Sequence, residues 1–124
     1  MKALIVDDSK ATRLILKKIL AEVGFQEFLE AAHGREALER LGGEGNAVDL
    51  ALVDWNMPEM DGYELLCAIR ARCELDAVAI MMVTTETELE QVTRALSAGA
   101  NEYVMKPFSP NIIREKLALM KIGA

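Results

Sequence analysis

The chain has 124 residues, 52% of them hydrophobic and 27% charged, which is the composition of an ordinary globular domain. Fourteen basic against 20 acidic residues give a formal charge of −6 with no basic cluster, which excludes a footprint for phosphate backbones and so direct nucleic-acid binding. No apolar stretch approaches the roughly 20 residues of a membrane span, and the Met-Lys start carries no signal-peptide pattern, so a cytoplasmic single domain over residues 1–124 is expected.

Apolar runs alternate with stretches of helical period, the pattern of βα units and a mostly parallel sheet. The first predicted strand, Ala3 to Val6, is followed by a helix in which Ala11, Ile15, Ile19 and Val23 recur every four residues, with Leu16 and Leu20 beside them, up to Gly24. The second strand, Glu27 to Ala31, is more polar and reads as an edge. Its helix runs from about Arg35 to Leu41 and stops at "GGEG". The third strand, Leu50 to Val53, is continuously apolar, as in a strand covered on both faces, and a helix begins near Gly62 with Leu65, Leu66 and Ile69. Ala79 to Val83 is the fourth strand, before a helix that opens with Thr87, has Glu90 three residues on as a capping box, and ends at Gly99. The fifth strand, Glu102 to Met105, leads to a helix with Ser109 as N-cap and Pro110 in the first turn, ending near Lys121. Cys67 and Cys73 have neither CxxC nor zinc spacing and read as reduced packing residues, and His33 stands alone.

Short right-handed crossovers favour a doubly wound five-stranded sheet in the order 2-1-3-4-5, whose ligands bind outside the carboxyl ends of the strands where the order reverses. Those ends carry Asp7 and Asp8 after strand one, Asp54 after strand three, Thr84 after strand four and Lys106 after strand five. Each has an ordinary alternative: Asp8 or Ser9 could cap a helix, Asp54 could open a turn, and Thr84 and Lys106 could face water. All of them on one crevice is a different matter. Two carboxylates about 4 Å apart repel by about 4 kcal/mol at an effective dielectric near 20, so a cation has to offset them. A hard divalent ion with oxygen ligands, magnesium before zinc, fits a site without His or Cys, and Lys106 adds a second positive charge. Pro107 biases the lysine's backbone toward an extended form or takes the cis form, either of which helps aim the amine. A carboxylate beside a metal, an amine and a hydroxyl is equipped to accept a phosphoryl group by in-line attack.

The segments "LIVDDS" with Arg13, "AAHGREALERL", "LVDWNMPEMDG", "MMVTTE" and "SAGANEYVMKPF" occur in an order and spacing that resemble the receiver domains of two-component response regulators over essentially the whole chain. Within them the similarity is to stand-alone chemotaxis regulators of the CheY type. The resemblance implies a flavodoxin-like fold, with Asp54 as phosphoacceptor, Asp8 and the Asn56 backbone carbonyl as Mg²⁺ ligands, and Asp7 acting on the metal through water. It implies Thr84 and Lys106 against the phosphoryl group and Tyr103 as an aromatic switch that turns inward with Thr84. The fourth helix, fifth strand and fifth helix would form the output surface. A histidine kinase would be the donor, and the target a flagellar motor switch protein or a phosphatase. The protein would act as a monomer with no output domain, assisting its own phosphorylation and dephosphorylation without being an enzyme in the turnover sense. Thr85 stands where the family commonly has a small residue and narrows access to Asp54. Glu86 and Asn56 flank the approach of water, while Trp55 is expected to be partly exposed, and Met57, Pro58 and Met60 to pack as a turn.

Three alternatives are open at this level. A phosphorelay intermediate would use the same residues. A haloacid-dehalogenase-like phosphohydrolase would need an acid two residues after its nucleophile, where Asn56 stands, and a cap domain. A degenerate receiver is opposed by the complete set Asp7, Asp8, Asp54, Thr84 and Lys106.

Overall fold

A computed structural model describes residues 1–44, 48–85 and 89–120. Among the described residues the elements alternate as β1 Lys2–Val6, α1 Lys10–Val23, β2 Glu27–Ala31, α2 Gly34–Glu44, β3 Leu50–Asp54, α3 Gly62–Arg70, β4 Ala79–Thr84, α4 Leu89–Ser97, β5 Glu102–Met105 and α5 Pro110–Leu119, with a short 3-10 turn at Cys73–Leu75. The strands pair in parallel in the order β2-β1-β3-β4-β5, as the alternation predicts. Thr87, the predicted cap of the fourth helix, together with Glu86 and Lys121, lies outside the described residues.

Side chains on a strand point alternately to opposite faces, so a continuously apolar strand feeds two cores at once. Leu4, Val6, Ala51, Val53, Ile80 and Met82 face one way, against Leu41 of α2, Leu65, Leu66 and Ile69 of α3 and Ala95 of α4. Ala3, Ile5, Leu50, Leu52, Met81 and Val83 face the other way, against α1 and α5. The polar strand β2 is an edge, as read from its sequence.

The helix boundaries correct several expectations. The stripe of α1 that meets the sheet is Leu16, Ile19, Leu20 and Val23, whereas Ile15 is 53% exposed and Ala11 is also exposed. Ile15 lies one residue, about 100° of helix rotation, from that line. α2 does not stop at the glycines but continues through Gly42 to Glu44. The helix carries both Gly42 and Gly43, each with a helix penalty of about 1 kcal/mol, just past the fully buried Leu41. Cys67 and Cys73 are free but exposed, not packed, because α3 turns Leu65, Leu66 and Ile69 inward and the 3-10 turn turns Leu75 inward. His33 is accounted for locally: its Nδ1 accepts the Glu36 amide at 3.3 Å at the start of α2.

At the amino end of the sheet Arg70 joins four segments. Its Nε donates to the Gly99 carbonyl at 2.9 Å, Nη1 to the Leu75 carbonyl at 3.3 Å and Nη2 to Asn101 Oδ1 at 2.9 Å, and that same Oδ1 accepts the Ile80 amide at 2.8 Å. Gly99 has φ of 114°, and a Cβ there would meet Arg70 Cγ at 2.8 Å, so both backbone and space require glycine.

Candidate functional site

Register carries three acids to the opposite, carboxyl end. Asp7 follows β1 and keeps its amide in the sheet, donating to the Ala31 carbonyl at 3.0 Å. Asp54 and Thr84 are themselves the last residues of β3 and β4, one further than the apolar runs suggested, and both are buried. Lys106 follows β5 and is held by its amide, which donates to the Thr84 carbonyl at 2.8 Å, and its bond to Pro107 is cis.

These side chains converge. Lys106 Nζ lies 3.0 Å from Asp7 Oδ2 and 3.3 Å from Asp54 Oδ1. One carboxylate oxygen from each of Asp7, Asp8 and Asp54 lies within 4.8 Å of the others, and Asp8 is the exposed member. Ser9 settles the capping question, since its hydroxyl accepts the Thr12 amide at 3.2 Å and leaves Asp8 out of the helix cap. Asp7 is pinned on its second oxygen by the Ser9 amide at 2.8 Å. Arg13 has a structural role. Its guanidinium donates to the Asp7 carbonyl and to Glu30 Oε1 at 3.0 Å, which ties the end of β1 to β2.

Burial, then the Asp7 charge, raises the Asp54 carboxyl above its ordinary value, against the opposing pull of Lys106 and the Asn56 backbone. For Lys106, burial alone would lower the ammonium, but its hydrogen bond to Asp7 and the charges of Asp54 and Asp7 prevail and raise it. The site therefore holds a permanently charged amine between acids that crowd one another. A hard divalent ion fits this donor set: oxygen only, three carboxylates, and an open side at Asp8. Bound there, the ion would supply positive charge to incoming phosphoryl oxygens.

Around this centre the expectations divide. Thr84 is buried as the last residue of β4, the strand next to β3, which ends at Asp54. The Asn56 side chain donates to Thr85 Oγ1 at 3.1 Å, so these two residues form a bridge between the β3–α3 and β4–α4 loops. Tyr103 is half-buried, with Lys116 Nζ 4.8 Å from its ring centroid, and Lys116 also pairs with Glu102 at 3.2 Å. Met57 and Met60 pack on the core as a turn should, and Gly34 is backed so closely by Met60 that a Cβ would meet its sulfur at 2.8 Å. Trp55 is a correction: it is buried, 7% exposed, rather than partly exposed, because the chain turns after Asp54 and lays the indole on the Tyr63 ring, centroids 5.7 Å apart and planes 23° from parallel.

Sequence reasoning passed over Gly62. Its amide donates to the Trp55 carbonyl at 2.8 Å, and a Cβ would fall 2.2 Å from the Asp54 carbonyl oxygen. Asp61 then caps α3 in a capping box with Glu64. The Asp-Gly pair before an apolar helix was the available signal.

A strand-end cluster of three acids and a lysine on a 2-1-3-4-5 sheet defines a class, and the comparisons agree. Residues 3–118 match the model of the response regulator receiver domain, and the chain belongs to that family. It is 45% identical over 121 residues to the chemotaxis protein CheY1 of Helicobacter pylori strain J99, covering 97% of this chain and 96% of that one. Among solved structures it is similar to chemotaxis protein CheY4 of Vibrio cholerae, at 34% identity and TM-score 0.84 over 98% of this chain and 97% of the other. It is also similar to the CheX-CheY-BeF3-Mg²⁺ complex of Borrelia burgdorferi, at 26% identity and TM-score 0.92 over 98% and 90%. The chain is thus a receiver homologous to CheY chemotaxis regulators. No helix among the described residues is long and apolar enough to cross a membrane.

Proposed function

We propose that this receiver takes a phosphoryl group on Asp54 from a histidine kinase, with Mg²⁺, and thereby changes its affinity for a chemotaxis target in the cytoplasm. The observation that supports this best is Lys106 Nζ held between Asp7 and Asp54, with Asp8 completing a three-carboxylate cluster. Asp54 Oδ forms the new bond to phosphorus as the donor's P–N bond breaks, and the electron pair leaves with the imidazole nitrogen, which ends protonated. Asp8, Asp54 and the Asn56 carbonyl would hold the metal and Asp7 would act on it through water, while Lys106 and the Thr84 hydroxyl stabilise charge on the transferred group. Tyr103, whose register partner Met82 stands two residues before Thr84 on the neighbouring strand, follows Thr84 inward and alters the α4, β5 and α5 surface.

The protein is a phosphoacceptor rather than a turnover enzyme. That relatives are named chemotaxis proteins supports a flagellar motor switch protein as target, and the CheX-CheY complex of Borrelia burgdorferi supports a further protein partner, for which the resemblance implies a phosphatase. Incubation with Mg²⁺ and phosphoramidate, followed by intact mass, should give a single phosphoryl adduct that is absent in Asp54→Asn. An adduct that persists in that variant, or steady hydrolysis of a small phosphomonoester at many equivalents per protein, would overturn the assignment.

A further inference from the structure

Helix α4 is seated differently from its neighbours. α3 buries Leu65, Leu66 and Ile69, α1 buries Leu16, Ile19 and Leu20, and α5 buries Ile113 and Leu117. Among the described side chains of α4 only Ala95 is fully buried. Since burial stabilises in proportion to apolar area, a helix whose described side chains include only one fully buried methyl group depends more on its other contacts for its position.

One such contact leads back to the acceptor. The Arg94 guanidinium carbon stands 4.3 Å from the centroid of the Tyr63 ring, and Arg94 Nη1 donates to Gln91 Oε1 at 3.2 Å on its own helix. The Tyr63 ring stacks in turn on Trp55, the residue joined to Asp54. The Trp55 backbone is tied to the start of α3, where its carbonyl accepts the Gly62 amide at 2.8 Å. Packed groups thus run without a break from Asp54 through Trp55 and Tyr63 to Arg94. Tyr63, Glu90, Thr93, Arg94, Ser97 and Ala98 line an open cleft of about 560 Å³, which leaves α4 room to move relative to α3.

We propose that Arg94 is a positioning residue that couples α4 to the acceptor strand, so that occupation of Asp54 is transmitted to α4 through the Trp55–Tyr63–Arg94 stack as well as through Thr84. The proposal rests on Asp54 being the phosphoacceptor. Arg94 touches neither the acids nor Lys106, and its cation over an aromatic face is the only link in the stack that a neutral side chain of similar length would remove. A displaced indole changes the Tyr63 ring position, and the energy of the Arg94 contact changes with it, which shifts the population of α4 positions.

The test is amide hydrogen exchange across residues 90–98, with and without Mg²⁺ and beryllofluoride as a phosphoryl stand-in, while ¹⁹F NMR reports fluoride bound at the acceptor. In the native protein, loading should change exchange in this segment by about two- to fivefold, the scale of one exposed cation–aromatic contact. In Arg94→Gln and Tyr63→Leu the loaded-to-free ratio should fall toward one, the Thr84 route accounting for what remains, while the ¹⁹F signal persists, and Arg94→Lys should restore it. If Arg94 merely anchored the helix, its loss would speed exchange in both states and leave the ratio unchanged. An equal ratio in Arg94→Gln and the native protein, or no response of 90–98 in a fluoride-loaded native protein, overturns the proposal. Absence of any bound ¹⁹F signal in the native protein removes the Asp54 assignment itself, and the proposal with it.

Discussion

Ionising Asp54 adds a negative charge 3.3 Å from an ammonium that already serves Asp7 at 3.0 Å, inside a pocket where both acids are buried. The carboxyl responds by titrating above its ordinary 3.8, chiefly through burial and secondly through Asp7. An acid whose folded value is raised favours the fold while protonated. That contribution is complete below the unfolded value of 3.8 and is lost as the pH rises through the raised folded value. Above that window the ionised group weighs on the fold. In metal-free protein, Asp54→Asn should therefore raise the melting temperature at neutral pH, with a gain that shrinks as melts are repeated toward pH 4. A constant or negative difference across that range would show that Lys106 fully compensates the acid. Every residue of this site was visible in the sequence as the chemistry standing at a strand end. Its supports were not: Ser9 and Arg13 act through an amide and a main-chain carbonyl, contacts that residue identity does not announce.

Gly62 shows how an element, rather than a side chain, aims the acceptor. The first turn of α3 lies directly against the last peptide of β3, so a methyl group there must push either the helix or the Asp54 carbonyl. Gly62→Ala should cost about 3 kcal/mol, the upper range for overpacking a tight site, read as a lower urea midpoint with an unchanged slope, and should weaken Mg²⁺ binding beyond the stability loss. A neutral effect would mean that the junction relaxes. The same scale explains which elements were legible. Strands one, three and four announce themselves because both of their faces are covered, and Gly24 ends α1 with φ of 123° as its position implied. The exposed side of α1 and the extension of α2 past its glycines were not legible. A four-residue repeat fits more than one helix face, and α2 continues through Gly42 and Gly43 against their local propensity. Trp55 failed for a related reason, since its burial depends on Tyr63, which arrives with the next helix.

Over the whole molecule, the separation of ends matters: Arg70 fixes the amino ends of β4 and β5, while the carboxyl ends hold the charges. Metal binding at the charged end should stabilise the entire fold, because the acids are assembled only when the sheet is. At about a hundred times its dissociation constant, Mg²⁺ should add about 2.7 kcal/mol, seen as one cooperative melt moving upward and reversed by chelator. Asp8→Ala, which removes the exposed ligand without touching Lys106, should abolish most of this shift, and a shift equal to that of the native protein would place the ion elsewhere. Lys106 and Asp7 are 99 residues apart in the chain. During synthesis the three acids are therefore made well before the lysine that neutralises them, and a chain broken off ahead of β5 carries the acids with their resident counter-charge missing. In such a fragment soluble cations alone could screen the cluster, so the last fifth of the chain is what makes the acceptor pocket self-sufficient.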